Sequence, residues 1–234
     1  MADETGKAES YEPIAARLAA FGLCLRGGFR PDAEEALPPM PDGSAPATLL
    51  LVGNAGPDLW RVFTTSPEFD DGHSDALDRW SQRVLTSIAE AIGAAAYFPF
   101  GGPPHLPFQQ WAKRSEPLHP SPLGLLIHPR FGLWHAYRGA LALGHAVDLP
   151  PCPPLPSPCE SCRGRPCLTA CPVGAFTGAG YDVGRCRAYA RGPEGEGCRS
   201  GGCRARLACP FGQDAAYGSE QMAFHMRAFL EAAQ

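Results

Sequence analysis

Eight of the ten cysteines fall between Cys159 and Cys209, in the runs CESCRGRPCLTACP, RCRAY and GCRSGGCRARLACP. So many thiols in so short a segment constrain the fold more than any hydrophobic pattern, because a chain gathers soft thiolates around a metal or joins them into bridges. Cys171 and Cys209 are each followed by proline, Pro172 and Pro210, whose ring stops the backbone after the last ligand and turns it away. A C-x2-C opening with a Cys-Pro close is how a chain wraps an iron–sulfur cluster, since a cuboidal cluster takes four thiolates and a tight loop supplies most of them. Zinc also accepts four thiolates, but structural zinc sites pair two C-x2-C knuckles, and only Cys159 and Cys162 make one here. Disulfides need an oxidising compartment, and the opening MADETGKAES is acidic and polar, without the apolar core of a leader. Packing accounts for single buried cysteines, which suits Cys24 and Cys152, but not for eight in one run. The expectation is two [4Fe–4S] clusters.

The spacing departs from the bacterial ferredoxin pattern, in which two residues separate the second and third cysteines. Here RGRP separates Cys162 from Cys167, Cys186 stands alone in RCRAY, and Cys198, Cys203 and Cys209 are set four and five residues apart. In two-cluster ferredoxins the last cysteine of each run crosses to the other cluster. Applied here, that rule assigns Cys159, Cys162, Cys167 and Cys209 to one cluster, and Cys171, Cys186, Cys198 and Cys203 to the other.

A chain of 234 residues with 44% hydrophobic content has room for one large or two modest domains with buried cores. A net charge of −4 argues against a nucleic-acid partner. Yet Arg163, Arg165, Arg185, Arg187, Arg191, Arg199, Arg204 and Arg206 crowd the cysteines. Arginines beside anionic clusters tune potential or dock an acidic electron donor, such as a flavoprotein or a ferredoxin. No apolar run approaches a membrane-spanning length, so the expected partners exclude a membrane and the expected location is the cytoplasm.

Along the chain, Ile14, Leu18, Phe21, Leu23 and Leu25 predict an amphipathic helix over 11–25, stopped by Gly27 and Gly28. ATLLLVG at 47–53 is a continuous apolar run, as a buried central strand would be. Pro57 opens a helix through Phe63, and Leu77, Trp80, Val84, Ile88 and Ile92 mark a second over 75–92. A short strand at 95–100 and helical turns at 109–114 follow. Residues 123–143 read as two strands broken at His128-Pro129, the second alternating from Phe131. Arg138 lies within that apolar strand, so either a carboxylate or an anionic ligand must meet it. PPCPPLPSP at 150–158 reads as an extended linker, and Met222, Met226, Phe229 and Leu230 stripe a helix over 219–233. The division expected is residues 1–149, a linker at 150–158, and a cysteine domain over 159–234.

The stretch LLIHPRFGLWHAYRGALAL resembles the core of the cblC-type cobalamin-processing family, which carries HPRFGGW followed shortly by Arg-Gly. Weaker similarity runs back through DALDRWSQRVL to TLLLVG, over roughly the first two-thirds of the chain. The resemblance implies an α+β, nitroreductase-like domain that binds cobalamin and removes its upper ligand reductively or by transfer to glutathione. It implies a thiol-substrate role for Arg138 and motif positions at Arg130 and Trp134, taken together as cofactor-binding candidates. The family's histidine motif is not evident, PFQQWAKRSEPLH standing in that region. ACPVGAF, RCRAY and ACPFGQD are similar to the cluster domain of epoxyqueuosine reductase, which joins a distantly cblC-like cobalamin domain to a bis-[4Fe–4S] ferredoxin-like unit. The reductase's transfer-RNA-binding helical repeats have no counterpart here. Together the resemblances imply an iron–sulfur, corrinoid-binding oxidoreductase. An electron-transfer ferredoxin and a non-catalytic cobalamin carrier remain the alternatives.

Overall fold

The structure, a computed structural model, describes residues 9–32, 35, 37–177 and 179–232. In chain order the elements begin with α1 (Tyr11–Ala19), β1 (Cys24–Phe29), β2 (Thr48–Ala55), α2 (Asp58–Phe63), α3 (Pro67–Asp70) and α4 (Ala76–Ile92). Next come β3 (Ala95–Tyr97), α5 (Phe108–Ser115), β4 (His119–Pro120), β5 (Leu126–Ile127) and β6 (His135–Leu143). The cysteine-rich part is mostly short helices: α6 (Pro158–Ser161), α7 (Pro166–Thr169), the pair β7 (Phe176–Thr177) and β8 (Gly180–Tyr181), α8 (Val183–Arg191), α9 (Glu196–Gly201), α10 (Arg204–Leu207) and α11 (Ser219–Glu231). The chain is thus a mixed α/β protein.

It divides into two compact units, both discontinuous. The first is Met1–Asn54, Asp58–Glu116 and Ala136–Pro153; the second is Ala55–Pro57, Pro117–His135 and Pro154–Gln234. The stretch 150–157 has no regular element, and the last passage of the chain from the first unit to the second, between Pro153 and Pro154, falls within it. Pro117–His135, expected with the N-terminal domain, groups with the cysteines instead.

The first unit is built on a four-stranded sheet ordered β1-β2-β6-β3. The apolar run predicted as a central strand is β2, buried from Thr48 to Asn54, with Leu49, Leu50, Leu51 and Val52 wholly inaccessible. Each such side chain contributes about 1.5–3 kcal/mol by leaving water, so this strand anchors the unit. β3 runs antiparallel to β6, with Ala95 opposite Ala142 and Tyr97 opposite Ala140. The predicted second helix is α4, and its buried stripe includes Leu77, Trp80, Val84 and Ile88.

Two expectations for local structure need correction. The helix predicted to reach Leu25 stops at Ala19, and Cys24–Phe29 pair instead as β1 with β2. The glycines read as a helix stop form a bulge: Leu25 faces Val52 and Gly28 faces Leu50, with Arg26 and Gly27 between them. Gly27 adopts φ +68°, and a Cβ there would meet the Ser115 carbonyl oxygen at 2.3 Å, so only glycine serves. The strand expected from Phe131 begins only at His135, because a turn bridging His128 and Gly132 interrupts it. The C-terminal helix is present as α11, and its expected end at Ala233 lies outside the described residues.

Candidate functional site

Short helices carry the cysteines of the second unit. Pro158 opens α6, Ser157 caps it by accepting from the Cys159 amide at 3.3 Å, and Cys162 follows its last turn. Cys167 lies in α7, Cys186 in α8 and Cys198 in α9; Cys203 precedes α10 and Cys209 follows it. All ten cysteines are free thiols. Among the described residues, no three His, Cys, Asp or Glu side chains converge as ligands of a metal ion.

The thiols do fall into two electrostatic groups. Burial pushes the Cys159 thiol up, and Cys209, Cys167 and Cys162 push it further. Burial also raises Cys209, against the Phe211 amide, with Cys167 and Cys162 adding to it. Cys186 is raised by burial, opposed by the Tyr181 hydroxyl, and raised again by Cys171 and Cys198. Cys203 is raised by burial, opposed by the Arg206 and Ala205 amides, and raised again by Cys186 and Cys171. These mutual effects link Cys159, Cys162, Cys167 and Cys209 in one quartet, and Cys171, Cys186, Cys198 and Cys203 in the other.

The two quartets have different surroundings. Cys167 and Cys209 are 9% and 6% exposed and share an apolar core with Leu123, Ile127, Leu133 and Ala205. All four cysteines of the second quartet line a cavity of about 620 Å³ within this unit, closed on another side by Met222, Met226 and Phe229 of α11. The Cys171 sulfur accepts a hydrogen bond from the Ala175 amide at 3.3 Å. A ring stack of Phe176 on Tyr181, centroids 4.7 Å apart and 14° from parallel, forms part of the same wall.

The HPRFG turn belongs to this unit and locks onto the second cysteine run. His128 and Gly132 exchange backbone bonds of 2.9 Å, and the His128 Nδ1 accepts from the amides of Arg130 and Phe131 at 3.0 and 3.3 Å. Gly132 has φ +56°, and a Cβ there would lie 2.0 Å from the Phe211 carbonyl oxygen. Its opposite number Gly212, with φ +70°, approaches the Phe131 carbonyl carbon to 2.2 Å by the same construction. Gly132→Ala should therefore destabilise the protein by at least about 1–3 kcal/mol, since it adds backbone strain to a clash with main chain that cannot swing aside. The midpoint of urea denaturation measures this, and an unshifted midpoint would refute the interlock.

The three cofactor-binding candidates do not form one surface. Arg130 is exposed, its guanidinium 5.1 Å from the Phe131 ring. Trp134 is fully buried, its ring covered by the Arg206 guanidinium at 4.4 Å and met edge-on by Tyr217 at 5.4 Å. Arg206 also donates to the Leu133 carbonyl at 2.5 Å. Arg138 belongs to the first unit, where Asp78 faces it at 3.5 Å. A carboxylate therefore meets Arg138, one of the two partners its position required. Burial pushes the Asp78 carboxyl up, and Arg138 opposes that shift.

Sequence reading missed the most buried ion pair. The bulge in β1 aims Arg26, 1% exposed, at Glu116: Nε donates to Oε1 at 2.9 Å and a terminal nitrogen to Oε2 at 2.7 Å. The other terminal nitrogen donates to the Asn54 carbonyl at 2.9 Å, and the Tyr137 hydroxyl donates to Oε2 at 2.5 Å. Burial pushes the Tyr137 hydroxyl far up, so it stays a donor. Only the Arg-Gly-Gly of β1, a charge beside two glycines in an apolar segment, hinted at it.

No model of a known protein family matches the chain, and no curated protein matches it. Among solved structures, the fold is similar to the crystal structure of a C. elegans B12-trafficking protein CblC, a human MMACHC homologue, with a TM-score of 0.50 at 16% identity. The likeness covers 94% of this chain and 92% of that one, so it extends through the cysteine-rich stretch and singles out no separate ferredoxin module. What it establishes is the fold: a mixed α/β chain built like CblC.

Proposed function

We propose that this chain is a corrinoid-handling protein of nitroreductase-like fold whose eight clustered cysteines hold two [4Fe–4S] clusters that serve as electron source for the corrinoid. The observation that carries the reading is the division of those cysteines into two groups of four, each drawing one member from across the other run. The donor set suits the clusters: all the thiols are free, and the second quartet surrounds space rather than packing into a core. When bound, such clusters supply single electrons and a corrinoid's cobalt accepts them. The chain's own part is to present the thiols, to donate amides to them as Ala175 does, and to close water out with the apolar wall of α11. The corrinoid side of the proposal rests on the likeness to a B12-trafficking protein. No side chain is assigned to it, because Trp134 is buried and Arg138 is held by Asp78 in the other unit.

The test is an anaerobic titration of reconstituted protein with hydroxocobalamin, followed by addition of dithionite. The expected result is about eight iron atoms per chain, a shift of the corrinoid spectrum to the base-off form, and reduction of the bound corrinoid that is lost in Cys171→Ala. Equal reduction in that variant would point to the second reading, a carrier without electron transfer, which the trafficking role of the similar structure favours. Iron without corrinoid binding would leave an electron-transfer protein of ferredoxin type.

A further inference from the structure

The second unit is the positively charged part of an acidic protein. Residues 117–135 and 154–234 hold ten arginines against seven acidic residues, while the whole chain holds 20 basic and 24 acidic ones. Several of these arginines are already occupied: Arg199 by Glu196 at 2.6 Å, Arg185 by Asp182 at 3.4 Å, Arg191 and Arg187 by carbonyls of α11. Arg163 and Arg165 are different. Both are exposed, and among the described residues neither guanidinium makes an ion pair or a hydrogen bond, although the Arg165 carbonyl accepts from the Leu168 amide at 3.0 Å. They lie in RGRP, the insertion between Cys162 and Cys167 that widens the spacing of the first quartet.

The backbone of this loop is strained in a way that serves the side chain. Gly164 has φ +74° and Arg165 φ +42°, one of two non-glycine residues with positive φ among those described. Arg165 also precedes Pro166, a position that disfavours helical backbone. Glycine would relieve the strain, so an arginine held there presents its charge at a cost to stability.

We propose that the Arg163–Arg165 loop is the docking surface for a small acidic one-electron donor protein, which delivers electrons to the first quartet. The inference rests on the cluster reading above. In the transfer, one electron would leave the donor's reduced centre and reduce the cluster that the first quartet would hold; no bond forms or breaks and no proton moves. Two unpaired cations beside the ligand loop steer an acidic partner and orient its reduced centre at the quartet. The second quartet, bordering the cavity, is the side from which an acceptor takes electrons away.

The experiment mixes iron-loaded protein anaerobically with photoreduced plant-type [2Fe–2S] ferredoxin, an acidic low-potential donor, and follows the second-order rate by stopped flow. Arg163→Glu with Arg165→Glu should lower that rate at least about tenfold at low salt and abolish most of its ionic-strength dependence. Iron content and the extent of dithionite reduction should stay unchanged. Arg227→Glu, one charge reversal on the exposed side of α11, should alter the rate less than about twofold, which separates docking from net charge. Arg165→Gly should slow transfer while leaving thermal stability equal or higher, an outcome that a structural role for the arginine would not produce. A rate indifferent to both loop charges, or equally sensitive to Arg227, overturns the docking surface alone. A parent protein without iron removes the cluster reading and the docking surface with it.

Discussion

Alanine in place of Cys203 is expected to remove about half of the iron from the anaerobically reconstituted protein, and the same loss is expected from Cys167→Ala. The informative variants are the pairs. Cys159 and Cys209 lie fifty residues apart in sequence but in one quartet, so their double substitution should lose no more iron than either single one. Cys203 and Cys209 lie close in sequence but in different quartets, so replacing both should remove nearly all of it. Cys24→Ala, in β1 of the first unit, should change nothing. Iron analysis and the cluster absorbance decide the matter. If neighbours in sequence behave as one set and distant members as two, the crossover partition is wrong.

The second large effect concerns stability. Arg26→Ala should destabilise the protein by about 3–5 kcal/mol, because it leaves the Glu116 carboxylate, 13% exposed, without its bidentate partner. It also deprives the Asn54 carbonyl of a donor at the edge of the central strand. The double variant Arg26→Met with Glu116→Gln should recover part of the loss, since it removes the uncompensated charge and refills the volume. Tyr137 would then keep a hydrogen-bond acceptor in the glutamine oxygen. Urea denaturation of the parent, the single variants and the pair gives the coupling. Strictly additive losses would mean that the two side chains stabilise the unit independently.

The segments readable from sequence were those whose pattern depends on near neighbours. The unbroken apolar run of β2, the stripe of α4 and the proline-opened α2 each state their environment within a few turns or residues. Long-range pairing was not legible. Arg26 and Glu116 are ninety positions apart, and nothing near Glu116 marks it as the partner of a bulge. β1 was mistaken for helix because Phe21 and Leu25 continue the three- and four-residue spacing of Ile14 and Leu18, while the edge pairing with β2 that makes a strand of Cys24–Phe29 depends on residues 49–53. Arg206 was read as one of many arginines; its place over Trp134 and Tyr217 exists only once the HPRFG turn has folded onto the second cysteine run.

The discontinuity of the second unit bears on ancestry. Leu123, Ile127 and Leu133 form one core with Cys167, Ala205 and Cys209, and the glycines at 132 and 212 are fitted to each other's backbone. A gene that acquired residues 154–234 by simple extension would have met a 117–135 segment with no counterpart for that core, and a gene that lost them would expose three large apolar side chains to solvent. End-to-end fusion of two ready-made modules is therefore an insufficient account of how such a chain arose. The cysteine segment and the turn that receives it are a co-adapted pair, and relatives of this protein should keep or lose them together.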